Sequence, residues 1–204
     1  MKVTETIPRR YRGTLMDERR TQRRCQLIAA AVKVYGEKGY RQSSVKSVCE
    51  AAGLTERYFY ESFANSEALL AACLSTVSTQ LSAALERVGN ATYASKEAQT
   101  RAMLLAYFLA LKNDPQSAKV FLLEIHGVSA GVDMAFADSL KSFGQGLACI
   151  LSPAGTAVSD ILQAGVTGGV MHIALHWLAE DFQTHEWEVV DAAWKLCSVL
   201  RPTV

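Results

Sequence analysis

The sequence predicts an all-α protein of about nine helices, on three observations. Apolar residues recur at three- and four-residue spacing along most of the 204-residue chain. No stretch alternates apolar and polar residues between turn signals, as a half-buried strand would. The breaks fall at helix stop and start signals: Gly39, Gly53, Gly89, Asp114-Pro115, Gly127 and Ser152-Pro153. The expected layout is a basic flexible arm over residues 1–16, a three-helix head over 17–65 and a helical body over 66–204.

Each element has a local reason. Asp17 is the expected N-cap of a first helix running to about Lys38, with Ile28, Ala31, Val32 and Tyr35 on one face. Gly39 supplies the left-handed residue that stops it. Ser44 caps a short second helix that turns Val45, Val48, Cys49 and Ala52 inward. Gly53 and Leu54 follow, then Thr55 as the cap of a third helix from Glu56 to Phe63. Gly53 sits where the chain reverses sharply and favours a positive φ. Two short helices joined by a glycine-containing turn form a helix-turn-helix, here at Ser44–Phe63.

From Ser66, the residues Leu70, Cys73, Leu74, Val77, Leu81, Leu85 and Val88 keep helical spacing up to Gly89. Later helices are expected at 96–113, 115–126, 131–151, 156–181 and 185–200. Asp114 and Pro115 suit the N-cap and first position of one of them. Thr184 is placed to cap the last.

Composition narrows the class. Half the residues are hydrophobic, so a disordered chain is excluded. No apolar run approaches about 18 residues without a charge or strong polar break, so no membrane span or membrane partner is expected. The N-terminal stretch lacks the apolar segment of a secretion signal, which implies a cytoplasmic protein. Cys25, Cys49, Cys73, Cys149 and Cys197 are odd in number and form no C-x-x-C pair, so they read as reduced thiols. Net charge is only +1, but residues 1–65 hold 13 basic against 7 acidic side chains, and the remainder holds 8 against 13. Such asymmetry fits a polyanion-binding head on a non-binding body.

The head also carries a pattern spread over spaced elements: Gly39-Tyr40, Ser43-Ser44-Val45, Val48 through Thr55, Phe59-Tyr60-Glu61-Ser62-Phe63 and Glu67-Ala68-Leu69-Leu70. In order and distance these resemble the DNA-binding head of TetR/AcrR family regulators, over roughly Gln26–Ala72. The resemblance implies a dimeric transcriptional regulator, most simply a repressor, whose helical body binds a small ligand and dimerises. It implies operator DNA, a largely hydrophobic effector and a second copy as partners, with no cofactor and no enzymatic activity. One position departs from the pattern. Many members carry lysine where this chain has Ser66, although a helix N-terminus there can still face a phosphate.

Helix-turn-helix proteins set the start of the recognition helix against base edges, which selects Thr55, Glu56, Arg57 and Tyr58. Arg57 suits a guanine O6/N7 pair and Thr55 a thymine methyl. Tyr60 matches the family tyrosine that meets the phosphate backbone, while Phe59 and Phe63 are expected inside. Ser43, Ser44 and Lys46 open the second helix as a phosphate clamp, and Arg41 is a further phosphate contact. Arg9, Arg10 and Arg12 in the arm either enter a minor groove or form a solvated tail.

In the body, Met103, Tyr107, Phe108, Phe121, Glu124, His126, Phe143 and Trp177 are the ligand-binding candidates, with ordinary core as the competing reading. Gly165, Gly168 and Gly169 fall inside one predicted helix, where each costs roughly 1 kcal/mol against alanine and calls for close helix approach. Since the resemblance implies dimerisation through the last two long helices, Gly165, Gly169, Ile173 and Trp194 are the interface candidates. His172 and His176 share a helix face at ligand spacing, but the glutamate of a zinc-protease motif is absent, so no metal is expected. Two other classes stay in view. An acid–base enzyme would use Glu124, His126, His172 or His176, and nothing groups them. A helical interaction protein without DNA binding would show no salt-sensitive binding to operator DNA.

Overall fold

The computed structural model describes residues 10–125, 127–152 and 158–200, with side chains from Met16 onward. Within those residues the chain forms nine α-helices and no strand. The head comprises α1 (Arg10–Lys38), α2 (Val45–Ala52) and α3 (Glu56–Tyr60). The body comprises α4 (Ser66–Gly89), α5 (Lys96–Asn113), α6 (Pro115–Lys119), α7 (Ala130–Leu151), α8 (Asp160–Ala179) and α9 (Glu186–Cys197). A π-helical turn, Val120–Glu124, continues α6, and a 3-10 turn, Ser198–Leu200, follows α9.

Several boundaries differ from the sequence expectation. Helix α1 begins at Arg10 rather than after Asp17, so half of the expected arm is helical. Arginine, leucine and methionine between them are good helix formers, and a lone Gly13 is tolerated. Asn65 caps α4, its side chain accepting from the Ala68 N–H at 2.8 Å. His185, not Thr184, caps α9, because the Thr184 carbonyl is occupied by the Trp177 indole N–H at 2.7 Å. Helix α8 begins at Asp160 instead of near 156. The turn glycines are as expected: Gly39 and Gly53 take φ of 87° and 65°. A Cβ at Gly53 would touch nothing, so backbone conformation alone asks for glycine there.

One continuous core joins head and body. Helix α1 packs on α2, α4 and α6, α5 on α4 and α9, and α8 on α7 and α9. A Cβ at Gly36 would come within 2.7 Å of the Gln116 backbone, so α1 and α6 touch main chain to main chain. The largest buried rings link α5 to α8: Phe108 meets Trp177 edge-on at 5.8 Å, and Trp177 meets Phe182 at 5.0 Å. Contrary to the sequence expectation, Ser66–Gly89 and Asp160–Ala179 are each long and apolar enough to cross a membrane. In the fold, α4 buries Leu69, Leu70, Cys73, Leu74, Val77 and Leu81, and α8 buries Val166, Val170, Ala174 and Trp177.

Candidate nucleic-acid interface and internal cavity

The surface of the head is built by its caps. Ser44 accepts from the Ser47 N–H, and Ser47 Oγ accepts from the Ser44 N–H, both at 3.1 Å. This reciprocal pair fixes the start of α2. Phe59, fully buried, anchors α3 against the core and meets Phe63 at 5.8 Å. With Phe59 inside, Thr55, Glu56, Arg57 and Tyr60 stand outside. The Arg57 side chain is 84% exposed and reaches Glu61 at 3.2 Å, an exposed pair worth little and easily exchanged for a base or phosphate. Thr55 takes the N-cap position of α3 without a side-chain hydrogen bond, which leaves its hydroxyl and methyl available.

The other sequence-selected residues of the head divide. Lys46 is exposed beside Glu50 at 4.0 Å. Tyr58 is half-buried beneath the Arg23 guanidinium, 4.4 Å from the ring centre, and Arg24 stacks on Phe63 at 4.2 Å. Arg20 and Arg24 donate to the carbonyls of Glu61 and Ser62, so arginines of α1 brace the end of α3. Sequence spacing does not single out these bracing residues, because they lie about forty positions away. The Ser43 hydroxyl donates to the Gly39 carbonyl at 2.7 Å. Arg10 begins α1, and the positions of Arg9 and of the Arg12 side chain lie outside the described residues.

Three contacts tie the turn after α1 to the body. Glu124 Oε2 accepts the Tyr40 N–H at 2.6 Å, the Arg41 guanidinium donates to the Gly127 carbonyl at 3.4 Å, and the Tyr40 hydroxyl pairs with Ser66 Oγ at 3.3 Å. Arg41, a phosphate contact on the sequence reading, is exposed and already bonded to the body. Ser66 occupies the first turn of α4, where its hydroxyl engages the head.

Behind the head lies a cavity of about 640 Å³ among α4, α5, α7 and α8. Met103, Tyr107, Phe121 and Phe143 line it, four of the residues selected from the sequence. Leu81, Leu85, Leu140, Ile150, Val170 and Met171 complete the apolar wall. Phe108 and Trp177 sit in the aromatic core beside it, and Glu124 is turned to the head. His126 lies outside the described residues. Tyr107 is held by edge and tilted contacts with Phe108 and Phe143 at 5.3 and 5.5 Å. Its phenol is desolvated, which pushes its pKa well above the ordinary tyrosine value.

The last helices present a different surface. Ile161 is 85% exposed, and Leu162, Trp187 and Leu196 are exposed with it. Gly165 is exposed, with nothing within 4 Å of a Cβ built on it, and Ile173 is half-buried. Gly169 packs inside the subunit instead, where a Cβ would come 2.7 Å from Leu196 Cδ1. Trp194 is buried, with the Arg101 guanidinium 5.4 Å from its ring. His176 pairs with Glu180 at 3.2 Å, and no set of metal-ligating side chains occurs among the described residues.

Comparison with known proteins agrees with this geometry. The sequence profile of bacterial regulatory proteins of the tetR family matches residues 27–73, which run from the middle of α1 into α4. Among curated protein sequences none matches the chain. Solved structures share the fold over most of the chain. FadR from Bacillus subtilis in complex with stearoyl-CoA superposes with a TM-score of 0.71 at 21% identity, over 85% of this chain and 97% of that one. FadR of Bacillus halodurans, a fatty acid degradation regulator, gives 0.70 at 21% identity over 86% and 94%. PfmR of Thermus thermophilus, a TetR family transcriptional regulator, gives 0.65 at 20% identity over 85% and 97%. These identities speak for the fold, and the profile match speaks for the head. Residues 27–73, which carry the helix-turn-helix, thus match the tetR family of bacterial regulatory proteins, and the chain as a whole has the fold of these solved regulators.

Proposed function

We propose that the protein is a homodimeric, sequence-specific repressor that a small, largely hydrophobic ligand releases from its operator. The observation that carries this reading is the shared use of α4. Its first half packs the head through Leu69, Leu70 and Cys73, and its second half walls the cavity with Leu81 and Leu85. A ligand that wedges α4 from α7 therefore moves the head. Two heads must meet successive major grooves about 34–36 Å apart, and a small tilt of α4 breaks that match. A cavity of about 640 Å³ with an apolar wall on one side and polar side chains such as Ser82, Glu86 and Asp138 on the other suits such a ligand. The stearoyl-CoA bound by the Bacillus subtilis relative supports an acyl chain as one apolar body that this fold accepts. Thr55, Glu56, Arg57 and Tyr58 read bases, and Arg41, Ser43, Ser44, Lys46, Tyr60 and Ser66 hold phosphates. Met103, Tyr107, Phe121 and Phe143 touch the ligand.

The reading is of a cytoplasmic binding protein without catalysis or cofactor. Its test is binding to the DNA upstream of its own gene across a salt series. A repressor making several phosphate contacts loses affinity steeply with salt, and its effector lowers affinity at fixed salt. Salt-independent or absent binding would instead favour a helical interaction protein.

A further inference from the structure

We propose, on the footing of the effector-cavity reading above, that the ligand carries no negative charge. It is an amphiphile with an oxygen acceptor, bonded by Tyr107, at the join between its apolar part and a neutral or cationic end that emerges between α4 and α7.

The acceptor follows from the cavity floor. Two buried hydroxyl side chains line the cavity, Tyr107 and Thr167, exposed by only 6% and 4%. The Thr167 hydroxyl donates to the Gln163 carbonyl at 2.8 Å and is spent. The Tyr107 hydroxyl has no hydrogen-bond partner among the described residues, although its ring is clamped by Phe108 and Phe143. That hydroxyl is not sealed into the packed core but opens on the cavity, where a ligand oxygen can take its hydrogen bond. Burial keeps the phenol protonated, so it offers an O–H donor, and an ester, amide or alcohol oxygen answers it.

The charge follows from the mouth. The exposed side chains around the opening are Ser82 and Glu86 from α4, Asn90 just after it, and Asp138 and Ser142 from α7. Two are carboxylates, and no lysine, arginine or histidine lines the cavity among the described residues. The nearest cations on these helices do not supply one: Arg87 donates to the Ala83 carbonyl of its own helix, and Lys141 does not line the opening. Arg101 is held by Glu97 and Asp191. The rim also contains Gly89, the last residue of α4, and a helix C-terminus carries the negative end of the dipole. Phosphate recognition uses arginine forks, lysines or helix N-termini, and the described rim has none of them. A coenzyme A thioester could place its acyl chain in this cavity, but its phosphates would emerge beside Glu86 and Asp138.

The test uses the full-length protein and one acyl chain with three ends: methyl dodecanoate, dodecanoylcholine and dodecanoyl-CoA, each below its micelle concentration. Calorimetric titration and operator release are read in parallel. The neutral and cationic esters are expected to bind at least about tenfold more tightly than the thioester, because its phosphates meet like charges at the rim. Tyr107→Phe is expected to weaken methyl dodecanoate by about tenfold at an unchanged melting temperature, the loss of one hydrogen bond. Replacing Glu86 and Asp138 with lysine is expected to narrow the gap between thioester and ester. Thioester binding as tight as ester binding overturns the charge assignment and leaves the effector reading standing. An unchanged affinity in Tyr107→Phe overturns the acceptor assignment. Binding by none of the three, with operator binding intact, overturns the effector reading itself.

Discussion

Glu124 accepts the backbone N–H of Tyr40 at 2.6 Å, so one carboxylate of the body holds the turn that ends α1 of the head. Gly39, beside it, takes a φ of 87°, and a Cβ there would lie 3.4 Å from Glu124 Oε2. The carboxylate ends the π-helical turn whose Phe121 lines the cavity, which puts cavity and head one turn apart. A hydrogen bond to a charged group is worth roughly 1.5–3 kcal/mol. Glu124→Ala is therefore expected to lose about that much in urea unfolding. It is also expected to weaken the effector's influence on operator binding more than operator binding itself. Glu124→Gln keeps an acceptor oxygen and is expected to fall between Glu124→Ala and the parent.

Arg57 and Lys46 should separate specificity from affinity. Arg57 projects from the second position of α3 and is restrained only by an exposed pair with Glu61. Arg57→Ala is expected to cost about 1–3 kcal/mol on the preferred operator and to relax preference at one base pair. Lys46→Ala is expected to weaken all sequences about equally and to lower the salt slope by roughly one. Fluorescence anisotropy on an operator and its point variants, at several salt concentrations, checks both. Equal losses across all variants for Arg57→Ala would move base reading to Thr55 or Tyr58.

The head is legible in the sequence because its information is local. Ser44, Gly53, Thr55 and Phe59 each act within one turn of their own position, so spacing alone places them. The cavity is legible only where a residue type stands out. Tyr107 and Phe121 are conspicuous, whereas Leu81, Val170 and Met171 have the same spacing as core residues, and only the space beside them distinguishes them. Spacing puts Glu124 in the cavity with Phe121, because residues three apart share a face of an α-helix. The π-helical turn breaks that phase, so Phe121 faces the cavity while Glu124 faces Tyr40. Nothing in Val120–Glu124 announces the wider turn. The arginines that brace α3 are equally invisible in the sequence, since Arg23 meets Tyr58 only after the helices pack.

The cysteines should divide by reactivity. Cys73 and Cys197 are buried, and desolvation pushes both thiols up to about 12. A raised pKa means less thiolate at pH 8, and the thiolate is the reacting species. Cys49 is shifted in the same direction, again by burial first. Cys25 and Cys149 are exposed. Maleimide labelling of the native protein is expected to modify Cys25 and Cys149 within minutes and the other three only on unfolding. Mass spectrometry of the labelled peptides checks this. Rapid labelling of Cys73 would show that α4 opens from α1, where Cys73 Sγ lies 3.8 Å from the Ile28 carbonyl.

The exposed apolar face of α8 and α9 should decide the oligomeric state. Ile161 and Leu162 at the start of α8, and Trp187 and Leu196 on α9, are solvent-exposed in one subunit, and side chains of this size gain free energy when a second surface covers them. Gly165 lies on the same helix as Ile161 and has room for a close approach, while Gly169 is already filled from within by Leu196. The assignment of Gly165 to an intersubunit contact therefore has more support than that of Gly169 or of buried Trp194. Ile161→Glu places a charge on the most exposed of these side chains, where it costs little in an isolated subunit. It is expected to turn a dimer into a monomer in sedimentation at micromolar concentration, with helicity unchanged by circular dichroism. Operator affinity should then fall toward that of one head on a half-site, because the linkage between two heads is what supplies avidity. Gly165→Leu tests the same face by bulk rather than charge. If both variants remain dimeric, the two copies meet elsewhere, and the spacing argument for α4 must be rebuilt on that other axis.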